Sequence, residues 1–357
     1  MLAFKYISLH YLKYFFIILI ALMMFMVGFD YMENASKLSK SANLTLIYLV
    51  YKSFFAVDML VPLSLVFAMI STKILLIRSN ALVSFYSLGY SRVDILRPFV
   101  VVSTLITIIY IFLHSFSNFS RSQEYAFNIR NHAQYLSPTR DLFFTYEGKF
   151  IYFSRMLPLQ EKAKGIRVFT IDKNSLKKVL VAKEATYREG SWHIKSADII
   201  VKPEKMDFES LGLRVHKKND IDILKGFRPK MLDQIYEGKS NFTINDAIDA
   251  VILLKNQNID TSTIKGALYK IFIYPFFVPS LVIIIFFFVP MSVRFLNVSL
   301  FSFIAILSTL MIWGVLFMLT ELANHKTISS EIGIILPIVI LFFIALRQYR
   351  HYRVASS

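Results

Sequence analysis

The chain has 357 residues, no cysteine and a formal net charge of +16; 55% of its residues are hydrophobic and 18% are charged. The missing cysteine excludes disulfides, thiolate metal sites and a cysteine nucleophile. So little charge is unusual for a soluble domain, and the basic excess is that of membrane loops rather than of a nucleic-acid binder.

A bilayer core takes about 20 apolar residues per helix. The first such run is 12–29. Lys5 and Lys13 give it a basic n-region as in a signal peptide, but Asp30-Tyr31-Met32-Glu33 follows it instead of a small-x-small cleavage site, so an uncleaved span is expected. Lys37 and Lys40 come next, where a helix leaving the bilayer meets head groups or simply anchors in the interface. The second run, 54–77, holds Asp58 near its outer end, a shallow position that suits interfacial solvation better than a midplane proton relay. Lys73 and Arg78 at its inner end are expected to snorkel to water.

The loop 78–97 is less bland. Residues Ala81–Leu88 read as a short amphipathic helix closed by Gly89, with Leu82, Phe85 and Tyr86 on one face. Such a face suits either lipid or a docking partner. The third run is 98–116.

Residues 117–265 are mostly polar and read as strands. Phe143–Phe153 has β-forming residues on both sides of Glu147-Gly148, a hairpin signal. Ile166–Ile171, Lys178–Lys183 and Trp192–Val201 look similar, with Glu189-Gly190 in the turn before Trp192. A sandwich or open barrel is expected, its interior either a packed core or a place for an acyl chain. Amphipathic helices at about 229–258 lead back to the membrane; Thr243-Ile244-Asn245-Asp246 resembles a capping box. Gly238-Lys239-Ser240 is not a phosphate loop, because Asp233 stands where its first glycine is needed. Three further runs follow, 267–290, 298–319 and 331–346. Lys270 lies at the outer end of the fourth span, and Pro275, Pro279 and Pro290 are placed to kink it.

Orientation follows from the short loops. Lys5, Lys13, Lys73, Arg78, Arg92, Arg97, Arg294, Arg347, Arg350 and Arg353 fall on one side, against Lys37, Lys40, Lys52, Lys270 and Lys326 on the other. Both termini are expected in the cytoplasm and the polar insert outside. The sequence has no HExxH, no GxSxG and no clustered histidines among its seven, so neither an enzyme nor a cofactor site is expected.

Three stretches, taken in order, resemble the LptF/LptG permeases of lipopolysaccharide export. They are Val61–Ala68 running on to Leu88-Gly89-Tyr90-Ser91-Arg92, the segment Ala185–Ile194, and Glu321–Pro337 before the last span. Phe29–Glu33 favours the LptG type. The resemblance spans essentially the whole chain. It implies an α-helical membrane protein with six transmembrane helices plus an all-β, jellyroll-like periplasmic domain. Its parts would be 1–116 with a coupling helix at about 80–92, 117–265, and 266–357.

It also implies a half-transporter without its own ATPase. An LptF-like paralogue would pair with it, an LptB-like ATPase dimer would drive it, and LptA/LptC-like jellyroll proteins would receive the lipid. The coupling contact would comprise Ala81, Leu82, Phe85, Tyr86, Gly89, Ser91 and Arg92, and lipopolysaccharide phosphates would meet Lys37 and Lys40. The family usually has a glutamate where this chain has Ala81, which shifts the expected contact to apolar packing and to Arg78 or Arg92. Two other classes compete on sequence grounds. A secondary transporter would need repeated spans and midplane charges, and a membrane-anchored sensor with a ligand-binding β domain would need no ATPase.

Overall fold

Backbone polar groups cannot be left open in hydrocarbon, so apolar runs of this length have to be helical. The computed structural model describes residues 2–38, 41–130, 139–146, 148–157, 161–172, 175–203, 212–226, 243–254, 262–288 and 297–354. They form two compact units, Met1–Arg130 with Lys265–Ser357, and Asn131–Ile264.

In the first unit six helices are long and apolar enough to cross a membrane. Spans 1 to 6 are Leu2–Asn34, Ala42–Arg78, Arg92–Leu113, Ile264–Phe288, Ser299–Asn324 and Glu331–Arg353. All but the third and fourth run well beyond their apolar stretches. Span 1, at 33 residues, is about 50 Å long against a hydrocarbon core of about 30 Å, so its ends continue into polar surroundings. Two short helices, Ser117–Ser120 and Ser122–Arg130, also belong to this unit.

Span 4 is interrupted by a 3₁₀ turn at Tyr274–Phe276, where Pro275 and Pro279 interfere with the helical ladder. Span 6 opens with a π-helical turn, Glu331–Ile335. Gly333 in that turn lies against span 5: a Cβ there would stand 2.8 Å from both the Leu319 carbonyl oxygen and Ala323 Cβ. Small residues of this kind let membrane helices approach closely.

The core is built around span 2. Val61, Leu65, Met69 and Leu76 pack with Ile7, Tyr11 and Phe15 of span 1, Phe99 of span 3, and Phe277, Leu281 and Phe286 of span 4. Tyr11 donates its hydroxyl to the Leu65 carbonyl at 3.0 Å.

Two charged residues of span 2 differ from expectation. Asp58 is tied to span 3. Its Oδ1 accepts from the Tyr110 hydroxyl at 2.7 Å and lies 3.0 Å from His114 Nε2. Pro62 sits one turn on and has no N–H for the Asp58 carbonyl; the Tyr110 hydroxyl is directed at that oxygen too, at 3.3 Å. Lys73 does not snorkel. It is 3% exposed, its ammonium donates to the Phe286 carbonyl, and Nζ stands 3.7 Å from the centroid of the Phe286 ring. Position along the span suggested an outlet to water, but spans 2 and 4 close over it.

Among its described residues the second unit contains one antiparallel sheet of six strands, β1 Thr139–Tyr146, β2 Lys149–Leu157, β3 Lys162–Asp172, β4 Ser175–Arg188, β5 Ser191–Val201 and β6 Arg214–Ile223. Each pairs with the next in sequence, so the described strands form a meander. Two tight hairpins set the register. Tyr146 pairs with Lys149 across Glu147-Gly148, and Arg188 with Ser191 across Glu189-Gly190. Glu189 and Gly190 have φ of 49° and 80°, the left-handed pair that a two-residue turn of primed type demands.

Alternation then fills one face. Leu142, Phe153, Ile166, Ala182 and Ala197 stand opposite one another across β1 to β5, as do Phe144, Ile151, Val168, Leu180 and Ile199. All are buried. Trp192 is fully buried and packs on Phe153 at 5.4 Å between ring centroids, so side chains occupy this interior. Both rows end at β6, which puts Lys218 and His216 in those positions and is exposed over most of its length.

Of the expected amphipathic helices, Ile244–Leu254 is present; residues 229–242 and 255–258 lie outside the described residues.

Candidate functional site

Two places carry the expected site residues. The first is the loop between spans 2 and 3, on the same end of the unit as both termini. Span 2 stops at Arg78, and Asn80 takes φ of 56°, a left-handed conformation that asparagine tolerates better than most residues. A seven-residue helix, Ala81–Ser87, follows.

Gly89 ends this loop helix with φ of 86°. The Gly89 N–H bonds the Tyr86 carbonyl at 3.0 Å and the Tyr90 N–H bonds the Phe85 carbonyl at 3.1 Å. These are the two bonds of a Schellman motif, and Phe85 and Tyr90 supply its apolar contact, 5.9 Å between centroids. Ser91 then caps span 3. Its hydroxyl accepts from the Asp94 N–H at 3.2 Å, while the Asp94 carboxylate accepts from the Ser91 N–H at 3.1 Å, a reciprocal capping box. Turn, helix, stop and restart are all specified within fifteen residues.

This framework decides which way the loop helix faces. Leu82 is fully buried, and Ala81, Phe85, Tyr86 and Tyr90 pack on the core of the membrane unit. Burial pushes the Tyr86 phenol up from its ordinary value, and nearby Arg92 opposes the shift. Leu82, Phe85 and Tyr86 are therefore the inward face, not a free apolar surface. The outward face is Val83, Ser84, Ser87 and Leu88, with Val83 49% and Leu88 73% exposed. Arg92 is also turned inward: its guanidinium lies 5.4 Å from the Tyr352 ring centroid, near the end of span 6. Arg78 is exposed.

The second place is the opposite end of span 1. Asp30 Oδ1 pairs with Lys52 of span 2 at 2.7 Å, and Asp30 Oδ2 accepts from the Tyr48 hydroxyl. Asn34 donates its side-chain amide to the Asp30 carbonyl at 2.9 Å and accepts from Arg130 at 3.4 Å. Asp30 and Lys52 neutralise each other, so their pairing leaves no net charge for an anionic ligand. Lys37 is exposed in the turn after span 1; Lys40 lies outside the described residues. Beside Asp30 an open groove of about 740 Å³ runs along span 1, lined by Phe25, Met26, Phe29 and Met32 together with Leu60 of span 2. Lys37 and the loop helix thus sit at opposite ends of the membrane unit, and nothing in the fold brings them together.

Sequence reasoning missed Val83 and Leu88, the exposed apolar pair. The spacing that put Leu82, Phe85 and Tyr86 on one face put these two on the other. Among the described residues no group of three or more His, Asp or Glu side chains is placed to hold a metal ion.

A search of curated proteins finds no match. The family model of the lipopolysaccharide export system permease LptF/LptG matches residues 5–351 without separating LptF from LptG. That range takes in all six spans, the loop helix and the six-stranded sheet, and the chain belongs to the LptF/LptG family.

Proposed function

We propose that this chain is one of two paralogous permease halves that lift lipopolysaccharide out of a bacterial inner membrane, powered by a separate cytoplasmic ATPase dimer. The termini and the loop helix face the cytoplasm, and the sheet lies in the periplasm. The single observation that carries this reading is the loop helix. A seven-residue helix is too short to be stable alone, yet a left-handed residue, a Schellman motif and a capping box pin it, and Val83 and Leu88 point outward. Such an element suits a motor that pushes on a membrane helix.

An external motor is also what the cargo requires. Moving acyl chains out of lipid costs about 0.8 kcal/mol per CH₂, far more than thermal motion supplies for a lipid with several chains. Lys37 and Lys40 meet the lipid phosphates at the outer end of span 1. The sheet belongs to a jellyroll that hands the lipid to LptA/LptC-like bridge proteins, and Phe29–Glu33 favours the LptG role over LptF.

The test is Leu88→Asp, with Val83→Asp beside it. Purified from native membranes, each variant is expected to retain at least roughly tenfold less ATPase than the parent, the scale of a hot-spot loss. Thermal unfolding should be unchanged, because both side chains are outside the core. Full ATPase recovery and full lipid export by Leu88→Asp would overturn the proposal.

A further inference from the structure

We infer that Lys73 is a positioning residue that locks the end of span 4 to span 2, so that a push on the loop helix reaches both halves of the membrane unit. The inference rests on the coupling role proposed for that helix.

Lys73 is an unusual choice for its place. It is 3% exposed in an apolar core, and among the described residues no carboxylate pairs with it. A lysine in such a position is expensive, and a methionine or leucine would fill the space without that cost. What the ammonium does have is the Phe286 carbonyl and the face of the Phe286 ring, 3.7 Å away. That carbonyl is one of the last four of the helix Phe277–Phe288, which have no intrahelical N–H to accept from, and the residue four positions on in the sequence is Pro290, which has no N–H to give. Span 2 thus supplies from outside the donor that span 4 cannot supply itself. The chain uses the same device once more, where Tyr110 of span 3 serves the Asp58 carbonyl freed by Pro62.

The lock continues sideways. Phe287, the next residue of span 4, stacks on Tyr352 of span 6 at 4.3 Å with the rings 7° from parallel. Arg92, which opens span 3 directly after the loop helix, lies over that same Tyr352 ring. Lys73 precedes the loop helix and Arg92 follows it. Both strands of the loop's attachment are therefore fastened to spans 4 and 6 by a cation over an aromatic ring. A loop helix fixed only to spans 2 and 3 would move the first half of the unit; fastened this way it carries the second half with it.

The test uses the full transporter, this chain with its permease partner and ATPase, reconstituted in vesicles of bacterial phospholipid and lipopolysaccharide. The chain has no cysteine, so introduced ones are the only labelling sites on it, and the partner chains are used in cysteine-free form apart from the label site on the ATPase. Spin labels go on Ser79→Cys, at the end of span 2, and Phe288→Cys, 70% exposed at the end of span 4; a third label sits on the ATPase. The Ser79–Phe288 distance should stay fixed when ATP binds, while the distance from Ser79 to the ATPase changes. In Lys73→Met the Ser79–Phe288 distance should shift or broaden on ATP binding, and ATP hydrolysed per lipid exported should rise at least about fivefold, the lower end of a coupling effect.

Lys73→Gln, which keeps a donor for the carbonyl but no cation, should leave the ratio as high as in Lys73→Met, and a parental ratio in Lys73→Gln would overturn the role given to the cation. If Lys73→Met keeps both the fixed distance and the parental ratio, the lock is overturned, and so it is if Phe288 lags behind Ser79 in the parent chain. An ATPase distance that ATP does not change overturns the coupling reading itself, and the lock with it.

Discussion

Span 2 and span 5 have nearly the same mean hydropathy, yet 72% of the most apolar stretch of span 2 lies buried and only 17% of that of span 5. Lipid tails are as apolar as leucine, so greasiness alone brings a helix into the bilayer without telling it what to pack against. The difference lies in polar and conformational detail. Span 2 is bound to its neighbours through Asp58, Lys73 and the Leu65 carbonyl. The two buried hydroxyls of span 5, Thr309 and Thr320, turn back onto carbonyls of their own helix at 2.7 and 2.8 Å. Span 5 leaves Phe303, Met311 and Met318 exposed, a face that the described helices of its own bundle do not cover.

The contrast can be broken where span 5 does have a tight neighbour. Gly333→Val would drive a side chain into the Leu319 backbone of span 5, which cannot give way as a flexible side chain would. We expect a loss of about 3 kcal/mol, the upper end of the usual overpacking cost, measured as unfolding in detergent micelles. A mild effect would mean that spans 5 and 6 separate freely. A matched pair sharpens the contrast. Leu65→Ala, in the middle of the core, should cost roughly 2 kcal/mol, and Leu307→Ala, 45% exposed on span 5, less than about 0.5 kcal/mol. Equal losses would remove the distinction between the two spans. Tyr110→Phe should cost less than Leu65→Ala, about 0.6 kcal/mol, typical of a single interhelical hydrogen bond in a membrane. Its coupling to Asp58→Asn in a double-mutant cycle checks that the two side chains act together.

Much of this was legible in the sequence because it is local. Apolar runs marked all six spans, Gly89 marked the end of the loop helix, and Glu189-Gly190 marked a hairpin. Each depends on residues within one or two turns. The helix ends were not legible, since a helix continues past its apolar stretch until a cap such as Ser91 or a left-handed residue such as Asn80 stops it. β6 escaped notice because an edge strand as polar as Arg214–Ile223 needs no buried alternation.

The site was only half readable. Periodicity showed that Leu82, Phe85 and Tyr86 share a face, but an apolar face has the same pattern whether a partner, lipid or the protein's own core covers it. Lys73 was misread for a related reason: its carbonyl partner is 213 residues away, and the snorkelling expected from its depth gave way to a tertiary contact.

The meander of the second unit also constrains how the protein is made. Among the described residues all five strand pairings join neighbours in sequence, so these contacts are local for a β structure, and low contact order speeds folding. Each strand after the first finds a partner already present when it is synthesised. The sheet can thus assemble one hairpin at a time behind span 3, before any residue of spans 4 to 6 has left the ribosome. Its buried rows are then closed while the later spans are still entering the membrane, which shortens the time an unpaired, aggregation-prone edge is exposed.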